Sequence, residues 1–272
     1  MTLDTDKLEH VKRILHEIGS ALVAFSGGTD SSLLLKLAHD CLGDRALAVT
    51  AVSATMSAAE QAEAEVTAQV IGARHMVVAS NEMDDSRFLA NPPDRCYYCK
   101  RDRFGWLLDY AHNAGYAAVI DGTNADDLSD HRPGRQAALE LGVRSPLQEA
   151  GLTKAEIRAL ARQLGLPNWD KPSSACLASR IPYGTPLSPP LLAQVEQAEL
   201  ALQPLGLRQA RVRHHGPVAR LEVEPADFET VLAHRQEIVD QLRAIGFSYV
   251  TLDLTGFRSG SMNEVVNPRG RA

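Results

Sequence analysis

Short apolar runs alternate with stretches of helical length through the first half of the chain. Residues 21–25 (ALVAF) and 46–52 (ALAVTAV) are almost entirely apolar, which is typical of strands buried on both faces of a parallel sheet. Helices are predicted after these runs, at residues 31–41 and 57–71, and a third strand at residues 75–79. This alternation predicts an α/β fold, with a doubly wound parallel sheet.

The pattern changes near residue 186, where strands begin to follow one another without a long helix between them. The order of elements predicts a second, smaller α+β domain with antiparallel pairing. We therefore predict two domains, residues 1–185 and residues 186–272. The elements predicted for the second domain are a helix, two strands, a helix and a strand: 191–205, 208–214, 218–223, 225–245 and 249–254.

The turn after the first strand carries the main chemical signal of the sequence. Its two glycines can adopt backbone angles barred to other residues, and the next helix aims N–H groups and its positive dipole end at the turn. Hydroxyl groups can bond oxyanions, and an aspartate can hold a divalent cation among phosphates. A plain turn with an aspartate cap is the alternative. The predicted phosphate-site residues are Ser26, Gly27, Gly28, Thr29, Asp30 and Ser31.

Two further segments are expected to complete a nucleotide site. The second strand ends near Thr50 and Ala51, and ligands bind at the carboxyl ends of strands in such sheets, so we expect adenine there. A later apolar strand runs into a polar turn that contains Gly122 and Asp127, a composition suited to closing the site from the opposite side. Asx-capping of the next helix is the alternative for Asp127. Arg132 is a candidate ligand for phosphate or carboxylate.

The cysteines form a second group of candidates. Cys96 and Cys99 stand in a Cys-x-x-Cys pair before a helix predicted at residues 104–114, an arrangement suited to a metal, a cluster or a redox pair. An inert pair is the alternative. Lys100 beside them would lower the thiol pKa values and could hold phosphate. Cys176 lies in a long irregular segment, which favours a functional role over that of a connector.

Composition narrows the class of protein. The chain has 272 residues, of which 44% are hydrophobic and 23% charged, as in ordinary globular proteins. A formal net charge of −6 argues against a general nucleic-acid binder. No apolar run approaches the roughly 20 residues of a membrane span, and no signal-peptide core is present. We therefore predict a cytoplasmic protein without membrane or nucleic-acid partners, in which four cysteines favour metal binding or catalysis over disulfides.

The whole chain resembles the LarE family of ATP-dependent sulfur transferases, which belongs to the ATP pyrophosphatase (PP-loop) superfamily. The resemblance covers nearly the full length, and its Cys-Leu-Ala-Ser-Arg and C-terminal stretches are more specific than the loop. The matching motifs are Ser-Gly-Gly-Thr-Asp-Ser, Asp-Gly-Thr-Asn, His-Arg-Pro-Gly, Cys-Leu-Ala-Ser-Arg-Ile-Pro-Tyr-Gly-Thr, Arg-Val-Arg and Gly-Phe-Arg-Ser-Gly.

This resemblance implies a reaction and its cofactors. The family adenylates a pyridinium dicarboxylate mononucleotide with ATP and Mg²⁺, releases pyrophosphate, and replaces carboxylate oxygen by sulfur. Two rounds yield the ligand of the nickel-pincer cofactor used by lactate racemase. The resemblance also implies a small-molecule substrate and a homo-oligomer.

The resemblance also implies roles for single residues. Cys176 would give up its own sulfur, or would share a [4Fe–4S] cluster with Cys96 and Cys99 and so deliver sulfide from it. The motif around Cys176 brings in Ser179 and Arg180 as binding residues. The remaining implied ligands are Arg211 and Arg213 for the substrate phosphate, and Glu199 and Glu222 for a metal.

Other functions stay open from the sequence. A tRNA thiolase, or another PP-loop adenylating enzyme of the NAD or GMP synthetase type, would use the same loop. An acidic chain without an obvious RNA-binding module or glutaminase domain disfavours both. From a different class, a nucleotide sensor without chemistry would bind ATP and release no product.

Overall fold

The computed structural model describes residues 5–128, 133–172 and 174–258 of the chain. The chain divides into two compact units. The first unit comprises Met1–Phe88 and Asp94–Ser174, and the second comprises Leu89–Pro93 and Ala175–Ala272. The division into domains of residues 1–185 and 186–272 stays a prediction. No helix of the described ranges is both long enough and apolar enough to span a bilayer.

The first unit alternates helices with parallel strands. Short 3₁₀ turns join several of these elements, for example at Gly43–Arg45, Glu82–Asp84 and Ala125–Leu128. The main elements in chain order are α1 Thr5–Ile18, β1 Ala21–Ala24, α2 Thr29–Leu42, β2 Ala46–Val52, α3 Ala58–Ile71, β3 Arg74–Ala79, α4 Ser86–Leu89, α5 Arg95–Ala114, β4 Ala118–Ile120, α6 Pro133–Glu140, α7 Pro146–Glu149 and α8 Lys154–Gln163.

Within the described residues of the first unit, the strands form one parallel sheet in the order β3-β2-β1-β4. Val23 of β1 aligns with Ala48 of β2 and with Ile120 of β4. Helices cover both faces, because α2 and α8 contribute to one apolar cluster while α5 and α6 contribute to another. The predicted α/β fold with a parallel sheet is confirmed, and its carboxyl edge is where β1 leads into α2.

Helix α2 lies at the centre of the larger apolar cluster. Leu33, Leu34 and Leu35 are three consecutive residues with no exposed surface. A helix that is apolar on successive positions around its axis is a core helix rather than a surface helix. Burial of this helix fixes the position of its N-terminus at the edge of the sheet.

Helix α5 begins at Arg95, earlier than the start at residue 104 that apolar periodicity predicts. Two prolines precede it, and since proline holds the residue before it outside the helical region, the helix begins only after them. The first turns of α5 are polar and aromatic, so they show no apolar spacing. Cys96 and Cys99 therefore lie inside the helix rather than ahead of it.

The second unit carries a smaller sheet in the order β5-β6-β7. Strands β5 and β6 pair antiparallel, as predicted, whereas β7 pairs parallel with β6, which the prediction of antiparallel pairing did not include. The helices between β6 and β7 return the chain to the same end of the sheet, as in a βαβ unit. The elements are α9 Pro189–Leu202, β5 Ala210–His215, β6 Val218–Val223, α10 Phe228–Ala233, α11 Arg235–Ala244 and β7 Tyr249–Leu252.

The single helix predicted over residues 225–245 is interrupted. A 3₁₀ turn at Pro225–Asp227 precedes α10, and His234 separates α10 from α11 with backbone angles outside the helical range. Leu242 of α11 and Phe247 after it are buried in the core of this unit, against Leu221 of β6. The break lets both short helices direct apolar side chains at the small sheet.

A buried histidine makes the stability of the second unit sensitive to acid. The Nε2 atom of His214 lies 3.2 Å from Gln194 Oε1, its Nδ1 accepts from Gly216 N–H at 3.3 Å, and its ring packs against Phe247. Burial lowers the pKa of His214. The unfolded chain therefore binds a proton that the folded unit resists, so stability falls as pH drops below about 6.5.

We expect His214→Gln to reduce the loss of stability of this unit between pH 7 and pH 5. Hydrogen exchange of the β5 and β6 amides, corrected for intrinsic exchange rates, measures that loss. The matched control is His234→Gln, which changes an exposed histidine of the same unit and should keep the wild-type pH dependence. Equal acid sensitivity in His214→Gln and the wild type would contradict the assignment.

Candidate functional site

Steric contacts restrict the backbone conformation of the loop between β1 and α2. Gly27 has φ +70°, and a Cβ placed there would lie 2.8 Å from backbone and side-chain atoms of Ala64 on α3. Gly28 is the N-cap of α2 with φ −79°, an angle open to any residue. The expectation that glycine is needed for its backbone angle is therefore confirmed for Gly27 and wrong for Gly28. A Cβ at Gly28 would meet only Ser26 Oγ, at 3.5 Å.

Two serines brace this loop from within. Ser31 Oγ donates to Gly28 O at 3.1 Å and lies 3.2 Å from Ser26 Oγ. It also accepts from Ser26 N–H at 3.3 Å. The first-turn amides of α2, from Thr29 onwards, have no carbonyl partner within the helix, so this end is a ready anion site. The loop and the helix dipole thus favour negative charge at one spot.

The turn after β4 closes on the loop from the opposite side. A Cβ at Gly122 would lie 2.8 Å from Ser31 N, so only glycine permits this approach. Asn124 Nδ2 lies 3.4 Å from Asp30 Oδ2, which ties the two segments together. Asp127 Oδ2 accepts from Asn124 N–H at 3.1 Å, the contact of a residue that caps its own turn. The structure therefore brings Gly122 to the loop, and its place at a nucleotide site stays a prediction.

Lys154 joins this site, although sequence reasoning assigned its segment only to a helix start. Its Nζ lies 2.5 Å from Asp30 Oδ1, and its backbone N–H donates to Asp126 Oδ2 at 2.8 Å. Thr153 is the N-cap of α8, with Glu156 completing a capping box. A lysine in the first turn of a helix is unfavourable because it opposes the helix dipole. This unfavourable placement is the feature of the sequence that could have indicated a functional role for Lys154.

The end of β2 is joined to the loop by a chain of hydrogen bonds. Thr50 Oγ1 donates to Phe25 O at 2.9 Å and lies 2.8 Å from His75 Nε2. Burial lowers the pKa of His75. Because the single hydroxyl proton of Thr50 is donated to Phe25 O, His75 Nε2 is the donor to Thr50 Oγ1. The Thr50 side chain is thus engaged by the backbone that enters the loop. Ala51, one residue on, lines a cavity of about 480 Å³.

This cavity lies beside α5 and has a charged wall. Ser80 and Arg103 line it, and Arg103 Nη2 lies 2.5 Å from the buried Glu82 Oε1. Glu82 also accepts from Ser53 and Thr55 hydroxyls. Burial by itself would raise the pKa of Glu82, but the Arg103 charge and the hydroxyl hydrogen bonds outweigh it and lower the pKa to about 2. Glu82 is therefore an ionised anchor that joins the ends of β2 and β3 to α5.

The cysteine candidates fall in both units. Cys96 is exposed and Cys99 half-buried on α5, and a spacing of three places them on neighbouring parts of one helix face. Lys100 Nζ lies 3.8 Å from Asp121 Oδ2 in the turn after β4. Cys176 belongs to the second unit and is half-buried. In the part of the chain that the structure describes, no three His, Cys, Asp or Glu side chains converge as a metal site.

Arg180 organises the segment around Cys176. Its Nε and Nη2 donate to the two carboxylate oxygens of Glu199 at 2.9 and 3.0 Å. Its Nη1 donates to Cys176 O at 3.1 Å and to Ser179 Oγ at 2.9 Å. Such a paired fork is a strong and directional contact. The predicted binding residue Arg180 and the predicted metal ligand Glu199 thus contact each other.

A second arginine–glutamate pair lies on β5 and β6. Arg213 donates from Nε and Nη2 to Glu222 Oε2 at 2.8 and 2.6 Å, and both side chains are almost fully buried. Arg213 Nη1 donates to Ser179 O at 2.8 Å. The Arg211 guanidinium lies 5.6 Å from the centre of the Phe257 ring. The predicted Arg132 lies outside the described residues.

Comparison with known proteins identifies the family. No protein-family profile matches the chain. It is 43% identical over 266 residues to pyridinium-3,5-bisthiocarboxylic acid mononucleotide synthase of Lactiplantibacillus plantarum, across 97% of the chain and 96% of that enzyme. It is 45% identical over 262 residues to an uncharacterised protein of Synechocystis sp., across 96% and 98% of the two chains.

A more distant relative carries the same superfamily signal. A subunit of the glutamine-hydrolysing GMP synthase of Methanocaldococcus jannaschii is 27% identical over 256 residues, across 88% of the chain and 76% of that relative. The resemblance predicted from the sequence motifs is confirmed by these identities. The chain belongs to the LarE family of synthases, ATP-dependent enzymes of the PP-loop superfamily.

Proposed function

We propose that the protein is a sulfurtransferase that adenylates pyridinium-3,5-dicarboxylate mononucleotide and converts its carboxylates to thiocarboxylates. The observation that carries this proposal is the 43% identity, over nearly the whole of both chains, to the synthase of the bisthiocarboxylic product. The anion-binding geometry of the loop at Ser26–Ser31 supports the ATP half of the reaction.

In the first step a substrate carboxylate oxygen attacks the α-phosphorus of ATP, and the bond to pyrophosphate breaks. A carboxylate is a poor electrophile, and adenylation makes its oxygen part of AMP, a better leaving group. The loop amides and Lys154 would stabilise the charge that develops on pyrophosphate. Asp30 would hold Mg²⁺, which supplies further stabilisation of that charge. A Cβ at Gly28 would have only Ser26 Oγ within 4 Å, so this side of the loop is where a phosphate group would approach.

In the second step the Cys176 thiolate attacks the activated carbonyl carbon, and AMP leaves. In the sacrificial route the Cβ–Sγ bond of Cys176 then breaks as the Cα proton is lost. The sulfur stays on the product, and dehydroalanine remains at that position. In the other route Cys96, Cys99 and Cys176 would hold a [4Fe–4S] cluster, and sulfide supplied by it would replace the Cys176 thiolate as the group that displaces AMP.

The other predicted residues keep their proposed roles. Ala51 and the end of β2 would contact adenine, while Gly122, Asp127, Lys100 and Arg132 would border the nucleotide. Arg211 and Arg213 would bind the substrate phosphate by their fork geometry, with Ser179 and Arg180 beside them. Glu199 and Glu222 would be metal ligands once separated from their arginines. We also propose a cytoplasmic homo-oligomer.

We expect Asp30→Ala and Lys154→Ala each to lower the rate of pyrophosphate release by at least about 100-fold, because Lys154 would offset the charge on the leaving pyrophosphate directly and Asp30 would do so through the Mg²⁺ that it holds. A coupled pyrophosphate assay with ATP and substrate measures the rate. Asp40→Ala is the matched control, since Asp40 lies at the other end of α2 and pairs with Lys36. Products of ADP and orthophosphate would contradict the proposed reaction.

The two loop glycines should respond differently to alanine. Gly27→Ala should destabilise the first unit by at least about 1–3 kcal/mol, because the φ angle of Gly27 is positive and the new Cβ would clash with Ala64. Gly28→Ala should cost less than about 1 kcal/mol and instead raise KM for ATP, because its Cβ enters the phosphate space. Thermal unfolding and pyrophosphate release separate the two effects. Equal unfolding temperatures for both variants would contradict the steric argument.

Two measurements distinguish the sulfur sources. They are iron and sulfide analysis of the anaerobically purified protein and mass spectrometry of the protein after one turnover. We expect four irons per chain, lost together in Cys96→Ala, Cys99→Ala and Cys176→Ala. Cys41→Ala is the control, since Cys41 packs against the apolar cluster of the first unit and should retain the iron. An active iron-free protein with dehydroalanine at position 176 would instead establish the sacrificial route.

A further inference from the structure

A segment distant in sequence contacts the phosphate loop through a single residue. Asn168 Nδ2 donates to Gly27 O at 2.9 Å and to Ser32 Oγ at 2.8 Å. In return, Thr29 Oγ1 donates to the backbone oxygen of Asn168 at 2.8 Å. One asparagine therefore contacts the loop at three points, on both sides of the N-cap of α2.

The chemistry of these contacts fixes the orientation of the asparagine amide. The Gly27 carbonyl can only accept, so the atom that faces it must be the amide nitrogen. The Gly27–Gly28 peptide is trans, and in a trans peptide the C=O and N–H groups point in opposite directions. Holding the carbonyl on the side of Asn168 therefore turns the Gly28 N–H to the other side. That N–H lies 3.4 Å from Ser26 Oγ, the long end of the hydrogen-bonding range.

The segment that carries Asn168 is itself held in place. Leu166 is buried, and its N–H donates to Ala161 O at 2.9 Å at the end of α8. Trp169 packs under the Arg162 guanidinium, 4.9 Å from the ring centre, and Lys171 Nζ lies 2.5 Å from Glu63 on α3. The turn that presents Asn168 is thus anchored on both sides of the residue, by Leu166 before it and by Trp169 and Lys171 after it.

We propose that Asn168 is a positioning residue that holds the Gly27–Gly28 peptide with its carbonyl away from, and its N–H towards, the bound pyrophosphate group. Without this donor the peptide could rotate and direct a carbonyl oxygen at the phosphates, where it would repel them. The organisation is complete before ATP arrives, so no reorientation is required during the reaction. This inference rests on the proposed function, which names pyrophosphate as the anion and places adenine at another segment.

The most informative variant is Asn168→Asp. It keeps the shape of the side chain and replaces the Nδ2 donor by a carboxylate oxygen that faces the Gly27 carbonyl. We expect it to weaken binding of inorganic pyrophosphate by about 10- to 100-fold, the effect of losing a buried donor and adding a like charge. Asn168→Ala should weaken it less, because it removes the donor without adding charge. Binding of adenosine should stay unchanged in both variants, since the base contacts other segments.

The experiment is calorimetric titration of inorganic pyrophosphate and of adenosine into wild type, both variants and the control Asp170→Asn, with the unfolding temperature of each. Asp170 is exposed on the same turn, so its variant should bind both probes as the wild type does. If Asn168→Asp does not fold, Asn168→Ala decides. Unchanged pyrophosphate binding, or a parallel loss of adenosine binding, would overturn the positioning role. A wild type that binds pyrophosphate but releases none from ATP would refute the proposed function alone.

Discussion

Close backbone approach at the carboxyl edge of the larger sheet is the constraint on which the site depends. The loop after β1 is bounded by Ala64 of α3 at Gly27 and by the turn after β4 at Ser31. At both contacts a single added carbon would come within 2.8 Å of a backbone atom. The packing of buried helices on the sheet sets these distances, so the anion site is a consequence of the core and does not depend on loop sequence alone.

Charged groups surround the loop after β1, and their arrangement would allow ion-pair partners to be exchanged. The N-terminus of α2 is positive, and Asp30 and Lys154 face each other across it in a partly buried pair. Removing either member would leave a poorly solvated charge, so each side chain keeps the other in place. Under the proposed function, an entering polyphosphate would offer Lys154 a more negative partner, and a divalent cation would offer one to Asp30. The pair therefore supports a site that is ordered before ATP binds.

The local parts of this architecture could be predicted, and the non-local parts could not. Apolar runs indicated the strands of the first sheet, and glycine and serine content indicated the loop, because both signals lie within a few residues. Lys154 and Asn168 reach the loop only through packing of the segments that carry them, which no local pattern records. The start of α5 was missed because its first turns are polar. The parallel pairing of β7 depends on how two short helices return the chain.

In the second unit, neighbouring arginine side chains bind to the same carboxylate. Arg213 and Arg220 are cross-strand neighbours of like charge, and Glu222 accepts from both, with Asp253 taking a further contact from Arg220. Arg211 pairs in register with Glu222 on the same sheet. The charges of these three arginines and two carboxylates sum to one positive charge on this part of the sheet. Since buried ion pairs contribute geometry more than stability, the arrangement fixes the positions of the guanidinium groups on this sheet.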